Sequence, residues 1–108
     1  MKVFDLKTMK AYPYEERQKN VFYQIEEFKT ILVELPPGGE IPICEMIPHV
    51  IFTVIEGAVE ITVNGKKVML QSGQCLITEP ATLSMQSDTG VRLMGTQIFK
   101  AGVTKNVF

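Results

Sequence analysis

The chain has 108 residues, 45% hydrophobic and 21% charged, and its 11 basic and 12 acidic residues leave a formal net charge of −1. That is room for one domain with its own core, and it is not the composition of a disordered chain. The balance of charge argues against a nucleic-acid partner, and no apolar run approaches the roughly 20 residues of a membrane-spanning helix. Neither is there any sign of an anionic-membrane binder. Cys44 and Cys75 form no CxxC, and Met1-Lys2-Val3-Phe4-Asp5 meets charge at once, without the apolar core of a signal peptide. A cytoplasmic protein with reduced thiols is the expectation.

Residues 1–27 read as an N-terminal arm or strand. Val3, Phe4, Leu6, Tyr12 and Tyr14 give it side chains to bury, on the barrel or across a dimer partner. Tyr14-Glu15-Glu16-Arg17-Gln18-Lys19 tolerates a helix, and Val21, Ile25, Phe28, Leu32 and Leu35 match a helical stripe. The competing reading breaks this region into strands near 20–24 and 28–35. There Ile31, Val33 and Leu35 alternate with Thr30, Leu32 and Glu34. Thr-Ile-Leu-Val leans towards extended backbone, and a lone helix would need explaining in a β domain, so strands are preferred.

Residues 28–108 read as one β-barrel. Turn signals recur at Pro36-Pro37-Gly38-Gly39, Pro48, Asn64-Gly65, Pro80 and Asp88-Thr89-Gly90, and Gly57, Gly65 and Gly73 are eight residues apart. Such spacing suits an all-β sandwich or barrel. Asn64-Gly65 tolerates positive φ at both central positions of a type I′ turn. A two-residue loop there pairs Ile61 with Val68 and Val59 with Leu70, and the apolar sets coincide across the turn. Val59, Ile61, Val63, Val68 and Leu70 are the expected inward residues.

Gly38-Gly39-Glu40-Ile41-Pro42-Ile43-Cys44-Glu45-Met46, continuing through Val54-Ile55-Glu56-Gly57, resembles the first conserved motif of the cupin superfamily. Gly73-Gln74-Cys75-Leu76-Ile77-Thr78-Glu79-Pro80-Ala81 resembles the second. The resemblance runs from residue 28 to about residue 99. It implies an antiparallel jelly-roll β-barrel, the cupin-like double-stranded β-helix, commonly as a homodimer and often with a divalent metal inside. The metal-binding positions are altered. The His-x-His of the first motif falls on Cys44 and Met46, its Glu falls on Val50, and the His of the second motif falls on Ser84. A mononuclear iron, manganese, nickel or zinc site needs about three or four nitrogen or oxygen donors at about 2 Å. One thiol, one thioether and one hydroxyl do not supply them, so no metal and no cofactor are expected.

Each candidate also has a plainer reading. His49 is the sole histidine; it could be a general base or lone ligand, or a histidine at the barrel rim. Cys44 faces inward if its family position holds, and with no cation beside it in sequence it reads as a small buried hydrophobe. Cys75, in an apolar strand, reads the same way. Cys44, Met46 and His49 together form a soft-donor set of the kind that favours Cu(I), at a spacing unusual for copper. Met46 and Phe52 either line a cavity or fill it.

Three functions from different classes follow. The first is a metal-free barrel that binds a small, largely apolar molecule as a sensor or carrier, lined by Cys44, Met46, Val50, Phe52 and Ser84 with His49 at the mouth. The second is a structural or regulatory homodimer whose barrel is plugged by its own side chains. The third is an isomerase-, epimerase- or dioxygenase-like enzyme; the missing ligands disfavour its metal-dependent forms, and a metal-free isomerase or epimerase would need a base, for which His49 is the sole histidine.

Overall fold

The computed structural model describes residues 1–100. A short 3₁₀ segment, Tyr14–Asn20, precedes eight antiparallel strands: β1 (Val21–Gln24), β2 (Phe28–Leu35), β3 (Glu40–Met46), β4 (His49–Val63), β5 (Lys66–Gln71), β6 (Cys75–Thr78), β7 (Ala81–Gln86) and β8 (Val91–Ile98). They run in the order β1-β2-β8-β4-β7-β3, with β5 and β6 both paired to β4. The resulting sheet curls into a jelly-roll barrel. The helical stripe over residues 21–35 loses to two strands, because Val21 pairs with Ile31 across a tight reversal. The helix-tolerant run before it takes up the 3₁₀ turn.

Strand β4 is the corner of the barrel. Its first half pairs with β8 and β6, and its second half with β7 and β5. A bulge between Val54 and Glu56 joins the halves, and an extra residue there moves the inward set from even to odd positions. Val50, Phe52 and Val54 point inward before it, and Val59 and Ile61 after it, all buried in one core cluster. Gly57 beside the bulge has φ +84, and a Cβ there would collide with the Gly90 carbonyl oxygen. The two chain segments can cross at this corner only without a side chain.

The hairpin forms in the expected register, with Val59 opposite Leu70 and Ile61 opposite Val68. Asn64 (φ 49) and Gly65 (φ 84) make the turn. Val68 corrects the expected inward set: it is 39% exposed, while Ile61 opposite it is fully buried. Strand β5 pairs only with β4 among the described strands, and its free edge leaves Val68 uncovered. Cys75 is a second correction. Leu76 and Thr78 sit opposite Phe52 and Val50, so the alternation of β6 turns Cys75 outward, where it is exposed.

The arm packs on the outer face of its own sheet. Arg92 projects there from β8, donating from Nη1 to the Leu6 carbonyl (3.0 Å) and the Met9 carbonyl (2.8 Å). Its Nη2 is 2.7 Å from Glu34 Oε2. Phe4 packs against Phe22 with ring centroids 4.9 Å apart.

Candidate functional site

The inward face of β2, β8 and the first half of β4 forms regular rows. Ile31, Gly95 and Phe52 make one row; Lys29, Gln97 and Val50 make the next. The first row is apolar, as alternation of Ile31, Val33 and Leu35 requires. The second is not. Gln97 is 0% exposed and Lys29 only 5% exposed. Neither Oε1 nor Nε2 of Gln97 meets a hydrogen-bond partner among the described residues. Burial pushes the Lys29 ammonium below its ordinary pKa, because the charged form is poorly solvated there.

The six residues singled out from the sequence do not converge on one point. Met46, Val50 and Phe52 are fully buried in the core cluster. Cys44 lies opposite Leu83 on the inward register of β3 and is half-buried against that cluster. Burial raises its thiol pKa, and the nearby Arg17 charge partly opposes this. Ser84 takes the other face. It alternates with buried Leu83 and Met85 and sits opposite Thr62. His49 lies opposite Ile98, one position out of phase with inward Val50, which assigns it to the outer face.

Sequence reasoning missed Lys29 and Gln97, and it put the second motif's histidine position on Ser84. Strict alternation along Val91, Leu93, Gly95 and along Ile31, Val33, Leu35 would have carried the inward set to Gln97 and Lys29. Anchoring the second motif on Pro80 rather than Gly73 shifts its histidine position from Ser84 to Met85, which does face inward. The inward side chains at the family's ligand positions are then Cys44, Met46, Val50 and Met85. Their chemistry, a protonation-favouring thiol, two thioethers and a hydrocarbon, does not fit a hard divalent cation. Among the described residues, no group of three or more His, Cys, Asp or Glu side chains could hold a metal ion.

The 3₁₀ segment closes one side of the barrel. Tyr14 packs on the core. The Arg17 guanidinium lies 4.3 Å from the Tyr14 ring centroid and donates from Nη1 to the Tyr14 carbonyl at 3.1 Å. A cavity of about 10 Å³ between this segment, β2 and Ile41 is at the lower limit for one water.

This curled sheet with interior-facing alternate residues is a double-stranded β-helix, and solved structures share it. An uncharacterized conserved protein with a double-stranded β-helix domain from Klebsiella pneumoniae superposes with a TM-score of 0.78 at 18% identity, over 91% of this chain and 90% of that one. A cupin superfamily protein from Desulfitobacterium hafniense gives 0.69 at 12% identity, over 74% of each chain. A cupin-2 domain containing protein from Shewanella frigidimarina gives 0.62 at 17% identity, over 73% of this chain and 78% of that one. The chain therefore has the cupin fold. No protein-family model and no curated protein sequence matches it.

Proposed function

We propose that this barrel binds a small, largely apolar molecule in its interior, as a sensor or carrier does. The observation that carries the reading is the buried Gln97 carboxamide, which has neither a donor nor an acceptor partner among the described residues. An unpaired buried polar group costs about 1–3 kcal/mol, a cost that Leu or Met at the same position would remove. A ligand that meets the amide and rests on Val50 and Phe52 accounts for keeping it. Fold alone does not choose among functions; this side chain supports the ligand-binding reading.

A second reading, the structural homodimer, draws on the outer face. There Ile77 is 69% exposed and Ile98 is 41% exposed, on the same side of the sheet as Ile51. A second copy laid against this face would cover them. Dimerisation through the outer face is compatible with an interior ligand, whereas a plugged barrel is not, and both readings leave His49 outside the interior. Native mass spectrometry of the purified protein, compared with its denatured mass, tests the first. A retained organic compound of a few hundred daltons supports it. No retained mass, together with a hydrophobic dye that wild type excludes and Met46→Ala admits, refutes it and leaves the plugged dimer. Light scattering of wild type against Ile77→Lys tests the dimer.

A further inference from the structure

We infer that the open edge of the barrel, between β5 and β6, is a binding site of its own, and that it takes a free single-chain carboxylate with its head against the β4–β5 hairpin and its hydrocarbon chain along the groove. The site is separate from the interior row of Lys29 and Gln97, and neither depends on the other.

The interior rows run out here. Phe52 is followed by Leu76 on β6, and Ile61 by Val68 on β5. Both strands pair only with β4 among the described strands, so no strand joins the two halves of the sheet along this edge. A groove of about 510 Å³ lies between them, with Val63, Val68 and Leu76 in its lining. That volume falls within the range of about 300–1,000 Å³ usual for small-molecule sites, and the mouths of β-barrels are among the places where such sites occur. Val63 and Leu76 pack on the core cluster, so the fold fixes the floor of the groove. Val68 is 39% exposed, an apolar side chain that a hydrocarbon chain would cover.

Both charged groups of the groove lie at the hairpin. Asn64, Lys66 and Lys67 line that end, and no carboxylate lines any part of it. Lys66 shares the phase of Val68 and of buried Leu70, and it forms no ion pair among the described residues. Lys67 Nζ is 3.9 Å from Glu60 Oε1, and its side chain is 71% exposed, so that pair is worth little. Asn64 Oδ1 accepts from the Thr82 N–H at 2.9 Å, which leaves Nδ2 to donate. This end of the groove therefore offers donors and positive charge. It calls for a head that carries negative charge and only accepts, and a carboxylate does both. An alcohol head meets the donors without the charge.

Octanoate and 1-octanol, which differ only at the head, are titrated calorimetrically into the full-length protein at low salt, with octanoate below its micelle concentration. Octanoate is expected to bind one to one and about three- to tenfold tighter than octanol. The Lys66→Gln/Lys67→Gln double variant should lose that preference and leave octanol binding unchanged. Val68→Thr, which keeps a β-branched side chain, should weaken both ligands about threefold. Both lysines are exposed, so the double variant decides even where Val68→Thr fails to fold. Equal affinity for the two ligands, a preference that persists in the double variant, or a folded Val68→Thr protein that binds both as wild type does overturns the site. So does binding to phosphatidylglycerol vesicles without binding of octanoate, which would make this edge a membrane surface. None of these outcomes touches the interior reading, which native mass spectrometry tests separately.

Discussion

Replacing Gly95 with alanine measures how tightly the interior row above Gln97 is filled. A Cβ at this position would stand 3.0 Å from Phe52 Cε1, 3.3 Å from Phe52 Cδ1 and 3.2 Å from Ile31 Cγ2. Two effects oppose each other. The φ of Gly95 lies outside the left-handed region, so alanine gains about 0.4–1 kcal/mol by restricting the unfolded chain. Carbon pairs prefer about 3.5–4.0 Å, so Phe52 and Ile31 would have to retreat by roughly half an ångström. Both are 0% exposed, so their retreat displaces other core side chains, and overpacking of this kind costs about 1–3 kcal/mol. Overpacking wins, with a net loss of about 1–2 kcal/mol. For a domain of this size that lowers the melting temperature by about 4–15 °C. The assay is thermal or urea unfolding of Gly95→Ala, Phe52→Leu and the double variant. Because the clash is with the Phe52 ring, the double variant should be more stable than the sum of the singles by about 1 kcal/mol. A Gly95→Ala protein as stable as wild type, or strict additivity in the cycle, refutes the packing argument.

Arg92→Ala removes two bonds to arm carbonyls and the ion pair with Glu34. The expected loss is about 1–3 kcal/mol, with faster trypsin cleavage at Lys7 and Lys10; unchanged cleavage would show that the arm is held by other contacts. The two thiols should differ in alkylation. At pH 8 iodoacetamide should label exposed Cys75 well before Cys44, which is half-buried and whose pKa burial raises from 9.0. The raised value favours the protonated thiol in the folded state. That contribution to stability is full below the unfolded thiol pKa and is lost as pH rises through the folded one. Equal labelling rates would contradict the burial of Cys44.

Much of the fold was legible because it is written in local chemistry. Asn64-Gly65 dictates a turn, and the apolar alternation on either side dictates one register. Gly38, Gly57 and Gly73 mark positive-φ positions and align the chain with the cupin motifs. The candidate site was legible only in part. Met46 and Val50 were placed on the inward face from motif spacing, and Phe52 was named beside them as lining or filling the interior. Ser84 was placed there too, but strand alternation puts it on the other side, because counting from Gly73 misses the phase by one residue. Val68 has an apolar side chain and the right register, yet no neighbour beyond β5 covers it.

The sequence by itself determined the strands, the hairpin, the barrel class and the loss of hard metal donors from the motif positions. Each of these depends on residue types at short separations. The tertiary structure alone decided which face of each strand is enclosed. That depends on the bulge in β4, on the return of β8 between β2 and β4, and on the clasp between Arg92 and the arm, all contacts between residues far apart in the chain. Lys29 and Gln97 lie 68 positions apart in the sequence and look like ordinary surface residues there. Only closure of the sheet turns them to the inside and leaves the Gln97 amide without a partner among the described residues.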